Sequence, residues 1–190
     1  MEGVLVPEIW IAVAKKTKID ALKITTRDEP NYDLLMKRRL SILKNHGIKL
    51  RDIERVIGAM SPLPGAKQFL DKLKANAQVI ILSDTYYEFA APLMRKLGGP
   101  TLFCNWLSED KKGFISNYHL RIRNGKEHAV KALQKLNFKV HAAGDSYNDL
   151  TMLLNADKGV FFNPPDSICK QYPKLPVARS YGALFRHLID

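Results

Sequence analysis

The chain has 190 residues, of which 46% are hydrophobic and 26% charged, a composition typical of a globular domain. This length fits one domain, or one core with a modest insertion. No apolar run approaches the roughly 18 residues of a membrane-spanning helix, and the segment MEGVLVPEIW lacks the basic start of a secretory signal. The two cysteines, Cys104 and Cys169, offer no disulfide framework, so we expect a cytoplasmic protein.

The charge is strongly basic, with 30 basic and 19 acidic side chains and a net charge of +11. An excess of this size raises the question of a nucleic acid partner. The basic residues are scattered in short clusters such as Lys37 to Arg39, without the long run of a binding tail. The pattern favours a solvated basic surface, and we expect no nucleic acid partner. A positive field attracts small phosphorylated metabolites equally well.

The first third of the chain is predicted to be helical. Pro7 and Glu8 suit the first turn of one helix, because proline fits there and an acidic side chain favours the positive end of the helix dipole. An apolar stripe from Tyr32 to Leu43 predicts a second helix. A third helix begins near Arg51 and ends at the joint formed by residues 61–65.

From residue 66 onward, helices alternate with short apolar strands. Helices are predicted over residues 66–74 and 86–97 and from 126 and 148, strands over 79–82, 140–143 and 159–162, and a hairpin over 102–122. This alternation predicts an α/β fold with a doubly wound, Rossmann-like parallel sheet. We divide the chain into a core segment 1–8, a small helical cap 9–61 and the main core 62–190.

Polar residues follow the strand ends, where ligands bind in such folds. Ser83, Asp84 and Thr85 come directly after the strand that ends at Leu82. A hydroxyl and free backbone amides at a helix start suit a phosphate oxygen. The alternative is that Ser83 or Asp84 only caps the following helix. The residues alone do not decide between these interpretations.

A second polar cluster, GDSYND, follows the strand that ends at Ala143. Asp145 and Asp149 lie four residues apart, so their carboxylates can point into one crevice. Carboxylate oxygens are ligands that Mg²⁺ prefers. Here the alternative is one capping aspartate followed by one solvated aspartate, and the position after a buried strand favours the metal.

A lysine lies between these two clusters, in the segment Asn124-Gly125-Lys126 at a predicted helix start. Lys126 is near the same sheet edge and could neutralise a transferring phosphoryl group. By itself, a lysine in this position is more often an ordinary surface residue.

The order Ser83-Asp84-Thr85, then Lys126, then GDSYND resembles the second to fourth motifs of the haloacid dehalogenase superfamily. The segments EGVLVPEIW, MKRRLSIL, ILSDTYYEF and AAGDSYND look most like its phosphoserine phosphatase branch, over essentially the whole chain. The resemblance implies a Mg²⁺-dependent phosphatase acting on phosphoserine in serine biosynthesis, with homoserine as another acceptor of the phosphoryl group. The partner it implies is a small phosphorylated amino acid, and a homodimer stays open as the assembly.

The resemblance also implies roles on the phosphate side of the site. Ser83, with its neighbours Asp84 and Thr85, would bind the substrate phosphate. Lys126 would stabilise the phosphoryl charge. The Mg²⁺ ligands would be Asp145 and Asp149.

Four further roles come from the resemblance alone. Asn148 would contact the substrate phosphate or the metal shell. Glu8 would meet the substrate amino group, and Arg39 would hold its carboxylate bidentately. Without the resemblance, Glu8 is a good helix-dipole partner and Arg39 a solvent-facing neighbour of Arg38. Glu2 would act as general acid and base and contribute to the metal site.

The first motif departs from the superfamily pattern, which is Asp-x-Glu or Asp-x-Asp at the end of a first strand. Glu2 matches its second carboxylate and Met1 its middle position. The attacking aspartate would therefore fall one residue before Met1, and we expect the first strand to be missing from the sheet. Of the two explanations, a longer natural product or a degenerate copy, we favour the first. A catalytically inactive protein that binds a phosphorylated ligand is the alternative function.

Overall fold

Helices dominate the N-terminal third of the chain, as the sequence predicts. The computed structural model describes residues 1–25, 28–29 and 31–189. Within these ranges the α-helices are α1 Ile9–Thr17, α2 Tyr32–Asn45, α3 Leu50–Gly58, α4 Ala66–Lys74, α5 Tyr87–Lys96, α6 Gly125–Lys135, α7 Leu150–Asn155, α8 Asp166–Gln171 and α9 Tyr181–Ile189. None of these helices is long and apolar enough to cross a membrane. The sequence analysis did not predict α8 or α9.

The strands form two three-stranded sheets. They are β1 Ile80–Tyr86, β2 Thr101–Glu109, β3 Ile115–His119, β4 His141–Gly144, β5 Lys158–Phe162 and β6 Val177–Ala178. In the first sheet β2 pairs in parallel with β1 and antiparallel with β3; in the second, β5 pairs in parallel with β4 and β6. The α/β class and the hairpin are confirmed. The parallel pairing of the core strands is confirmed as well, and among the described strands β1 and β4 each have a single hydrogen-bonded neighbour.

The end of β1 is irregular, which corrects the predicted strand 79–82. The parallel pairing with β2 is regular up to Leu82 and resumes at Tyr86, which pairs with Asn105. Ser83, Asp84 and Thr85 therefore face a single residue of β2, Cys104. Such a bulge redirects side chains and interrupts the ladder. The polar segment lies in this bulge, and not in a loop after the strand.

Other predicted bounds differ from the observed ones by one to three residues, as helix and strand ends commonly do. The helix expected from Asn148 is the larger difference. Residues 147–149 form a 3-10 turn, and α7 begins only at Leu150. The Asp149 side chain closes this turn with Ser146, which delays the start of the α-helix.

One apolar core joins the N-terminal helices to the first sheet. Ile53 and Ile57 of α3 and Leu93 of α5 are fully buried in it. The ring of Trp10 on α1 packs edge-on against Phe89 of α5, with centroids 5.4 Å apart. Burying side chains of this size stabilises a fold by about 1.5–3 kcal/mol each. These contacts hold α1 and the helices packed on it beside the end of β1.

Candidate active site

Lys126 lies at the centre of the candidate site, on the first turn of α6. Its Nζ is 2.7 Å from Asp84 Oδ2 in the β1 bulge and 2.9 Å from Asp149 Oδ1 after β4. Its side chain is 13% exposed, so it is not the ordinary surface lysine of the alternative interpretation. Burial alone would lower the pKa of Lys126, but Asp149 and Asp84 outweigh burial and raise it. One ammonium group thus bridges the carboxyl ends of strands from both sheets.

Asp149 is both an ion-pair partner and a cap. Its Oδ1 accepts from Lys126, and its Oδ2 accepts from the backbone N–H groups of Asp145 (3.0 Å) and Ser146 (3.3 Å). A Cβ at Gly144 would lie 2.3 Å from the Asp149 Cβ, so only glycine permits this approach. Burial acts to raise the pKa of Asp149, but Lys126 and the backbone donors lower it. Both carboxylate oxygens therefore already have partners within the protein.

Asp145 differs from Asp149, because no cation pairs with it among the described residues. A Cβ at Gly3 would lie 2.2 Å from Asp145 Oδ2, and Gly3 has φ +72°, so the N-terminal segment approaches this carboxylate through a glycine. Burial, followed by the nearby charge of Asp149, raises the pKa of Asp145 to about 6. A cation near Asp145 would relieve this unfavourable negative charge.

The acidic side chains near Lys126 can supply the few protein ligands that Mg²⁺ needs. No group of three or more His, Cys, Asp or Glu side chains in the described part of the chain is arranged to hold a metal. Mg²⁺ commonly keeps several waters and uses only one or two protein carboxylates. Asp145 fits a direct ligand of this kind. Asp149 is less available to a metal, because Lys126 and the backbone N–H groups of Asp145 and Ser146 already bond its oxygens. It fits a role through water or through the Asp145 backbone.

The side chain of Glu2 caps α1, whereas the sequence suggested Glu8 as the acidic residue at the start of this helix. Its Oε2 accepts a 2.8 Å hydrogen bond from the backbone N–H of Ile9, the first residue of α1. Glu8 precedes that helix without a side-chain capping bond and lies exposed, which corrects its expected position in the first turn. Burial, with an added contribution from Glu8, raises the pKa of Glu2 to about 7. Glu2 is thus a carboxyl group poised to exchange a proton near neutral pH.

Arg39 is buried, contrary to the interpretation of a solvent-facing residue. It is 7% exposed, and its guanidinium lies 4.4 Å from the centroid of the Trp10 ring. One nitrogen, Nη2, donates to the backbone oxygen of Ile24 at 2.6 Å, while Nε is buried without a hydrogen-bond partner. No carboxylate of the described residues forms an ion pair with Arg39. Buried polar groups are normally satisfied, so the Nε without a partner suits an anionic ligand.

The residues of the β1 bulge do not cap α5, whose N-cap is Tyr86 and has no side-chain capping bond. The capping interpretation of Ser83 and Asp84 is therefore wrong. Ser83 Oγ accepts from the N–H of Thr85 at 3.3 Å, which keeps its hydroxyl beside the bulge. Asn148 lies exposed on the 3-10 turn, and its side chain has no hydrogen bond to any residue in the described ranges.

Three polar residues at the site were missed by the sequence analysis. The Tyr32 hydroxyl of α2 lies 2.7 Å from the Tyr86 hydroxyl at the end of β1, joining the N-terminal helices to the sheet. Asn105 of β2 is 7% exposed and donates from Nδ2 to the backbone oxygen of Asp84 at 3.0 Å. The sequence contained a signal for Asn105, because it is a polar residue within the largely apolar strand β2. A polar side chain buried in a strand requires a hydrogen-bond partner.

Known proteins resemble this chain over its whole length. It is 52% identical over 189 residues to "Phosphoserine phosphatase ThrH" of Pseudomonas aeruginosa, covering 100% of this chain and 92% of that protein. It is 50% identical to "Phosphoserine phosphatase" of Pseudomonas syringae pv. tomato, covering 80% of that protein. A crystal structure of a phosphoserine phosphatase in apo form shares the fold, with a TM-score of 0.78, 20% identity and coverage of 98% of this chain and 95% of that one.

The family assignment rests on the matched region together with these relatives. The model of the haloacid dehalogenase-like hydrolases matches residues 7–157, which include the β1 bulge, Lys126 and the GDSYND segment. The resemblance noted from the motifs is thereby confirmed. The chain belongs to the haloacid dehalogenase-like hydrolase family.

Proposed function

We propose that this hydrolase is a Mg²⁺-dependent phosphatase of phosphoserine, with homoserine as a second acceptor of the phosphoryl group. The observation that carries the proposal is the position of Lys126. It joins the β1 bulge to the segment after β4 through contacts of 2.7 and 2.9 Å. The names of the two Pseudomonas relatives support phosphoserine as the substrate.

The phosphate would lie against the β1 bulge. Ser83 offers a hydroxyl there, and Lys126 provides a positive charge that is largely shielded from solvent. A charge in such surroundings stabilises a phosphoryl group more strongly than one in water. Since Asp84 and Asp149 fix the ammonium group from both sides, little reorganisation is needed when the substrate binds.

The amino-acid part would extend toward α2. The unpartnered Nε and the remaining N–H groups of Arg39 suit the substrate carboxylate. Exposed Glu8 suits its ammonium group. Opposite charges at the two ends would select an amino-acid phosphate over a neutral phosphate ester.

The proposed cation is Mg²⁺, which when bound would neutralise phosphate charge and orient the phosphoryl oxygens. Asp145 would hold it directly, and Asp149 would support Asp145 through the backbone N–H that it accepts. Asn148 is exposed beside this segment and would reach the ligand or the metal-bound water.

Proton transfer is assigned to Glu2. With its pKa raised to about 7, Glu2 holds a proton near neutral pH and can pass it to the leaving serine oxygen. The resulting carboxylate can later take a proton from the acceptor, water or an alcohol. In the family resemblance, the attack on phosphorus comes from an aspartate two positions before Glu2, through an aspartyl-phosphate.

The alternative is a protein that binds the phosphorylated ligand without turning it over. Phosphoserine binding by calorimetry, together with phosphate release in the presence of Mg²⁺, separates the two in a chain that carries an aspartate immediately before Met1. Binding with release supports the phosphatase, and binding without release supports the alternative. A protein that binds inorganic phosphate and phosphoserine equally well would contradict phosphoserine as the substrate.

We also propose a cytoplasmic location, which the unpaired Cys104 and Cys169 favour.

A further inference from the structure

We propose that Asn105 of β2 is a positioning residue for Lys126, because its amide group ties together the two backbone segments that flank this lysine. The inference rests on the proposed function for its catalytic meaning, but the positioning itself does not. Asn105 is one of few polar side chains buried in the described residues, at 7% exposure.

The first link is to the β1 bulge. Asn105 Nδ2 donates to the backbone oxygen of Asp84 at 3.0 Å, where the β1–β2 ladder is interrupted. At this point a hydrogen bond from the Asn105 side chain joins β2 to β1, where the regular backbone pairing of the two strands is interrupted. The side chain of Asp84 in turn lies 2.7 Å from Lys126 Nζ. The amide of Asn105 thus fixes the backbone that carries one partner of Lys126.

The second link is to the segment that leads into α6. The backbone N–H of Arg121 donates to Asn105 Oδ1 at 3.0 Å, and Arg121 Nε donates to the backbone oxygen of Cys104 at 3.1 Å. Lys126 follows Arg121 by five residues, on the first turn of α6. The same amide group therefore also anchors the segment that carries Lys126 itself.

The two links use opposite functions of one amide, a donor toward Asp84 and an acceptor from Arg121. Leucine has nearly the same shape and carries no charge, donor or acceptor, so Asn105→Leu removes both links without the buried negative charge that aspartate would add. Asn105→Ala removes both links and the volume of the side chain. A control is available on β3, where Asn117 is exposed and its Oδ1 bonds only the adjacent Tyr118 N–H.

The test measures the rate at which acetic anhydride modifies Lys126 in the folded protein, followed by mass spectrometry. Lys126 should react at least about fivefold faster in Asn105→Leu, the factor set by one hydrogen bond of ordinary strength, and faster in Asn105→Ala as well. Asn117→Ala should leave the rate unchanged. Hydrogen exchange should rise in residues 83–86 and 121–126 and stay unchanged in β4 and β5.

A second measurement uses inorganic phosphate. Asn105→Leu should weaken its binding about fivefold, but should have no further effect in a Lys126→Met background. An unchanged Lys126 reaction rate, or faster exchange throughout the protein, would overturn the positioning role. Additive effects of the two substitutions on phosphate binding would overturn it as well. A protein that fails to bind phosphoserine would refute the proposed function, while Lys126 labelling would still decide the role of Asn105.

Discussion

The two ends of the candidate site differ in how far their charges are already paired. At the proposed phosphate end, Lys126 lies between Asp84 and Asp149 at 2.7 and 2.9 Å. At the proposed amino-acid end, Arg39 is buried, and its Nε has no hydrogen-bond partner among the described residues. The difference teaches that the fold itself assembles the surroundings of Lys126, whereas Arg39 keeps a donor that the carboxylate of the proposed substrate would pair. Substitutions should therefore affect stability at the first end and substrate affinity at the second.

The largest expected effect is a loss of stability on Lys126→Met. The substitution leaves the Asp149 carboxylate, 10% exposed, without its cation, and breaking a buried ion pair costs about 3–5 kcal/mol. Lys131→Met is the matched control on the same helix, because its pair with Glu127 is at the surface, where ion pairs contribute little to stability. Urea unfolding of both variants checks the contrast. Equal losses would mean that the phosphate end is not preassembled.

Arg39→Met should affect binding more than folding. Removing a hydrogen bond from a charged donor costs about 1.5–3 kcal/mol, so phosphoserine should bind about 10 to 100 times more weakly. Inorganic phosphate, which has no carboxylate, should bind as before. Calorimetry with both ligands measures this, and Arg38→Met, at an exposed neighbour, serves as the control. If both ligands lose affinity equally, Arg39 does not read the amino-acid part.

Substitution of the two aspartates of the GDSYND segment should have opposite rank order in its effects on Mg²⁺ affinity and on melting temperature. Asp145→Asn should weaken Mg²⁺ binding by about tenfold or more, because its carboxylate is the one without an ion-pair partner in the described residues. Asp149→Asn should weaken it less but lower the melting temperature more, since it breaks the contact with Lys126. Calorimetric titration with Mg²⁺ and thermal unfolding decide the order. Identical ranking in both measurements would contradict separate roles.

The smallest expected effect is on the pH dependence of stability without metal. Because Asp145 has its pKa raised to about 6 when folded, the folded state holds this proton more tightly than the unfolded chain. Stability is therefore lost as the pH rises from about 4 to 6, by about 1 kcal/mol after screening by solvent. Asp145→Asn should flatten this part of the profile, measured by urea unfolding with a chelator present. A steeper fall in stability between about pH 4 and 6 in Asp145→Asn would contradict a raised pKa of Asp145 in the folded state.

The sequence singled out the polar residues of the proposed phosphate end by their positions, and those of the proposed amino-acid end only through the family resemblance. Lys126 begins a helix, Asp149 follows a strand and Ser83 lies in the bulge at the end of β1. Strand ends meet at one sheet edge whatever the details of packing. Arg39 and Glu8 lie on or before helices whose orientation depends on tertiary packing, of α2 against β3 and of α1 against α5. Local pattern could not tell a buried arginine from its exposed neighbour Arg38, because the two are adjacent in one helix.

By itself, the sequence determined the α/β class, the alternation of elements and the family, since these depend on hydrophobic periodicity and on short motifs. Only the tertiary structure decided that Glu2 caps α1, that both Asp149 oxygens have partners within the protein and that Asn105 holds two distant segments together. Each of these facts is a specific hydrogen bond, and other polar groups of the chain could have formed it instead. Which groups pair depends on distances of about 3 Å between atoms, and the order of residues in a sequence does not contain these distances.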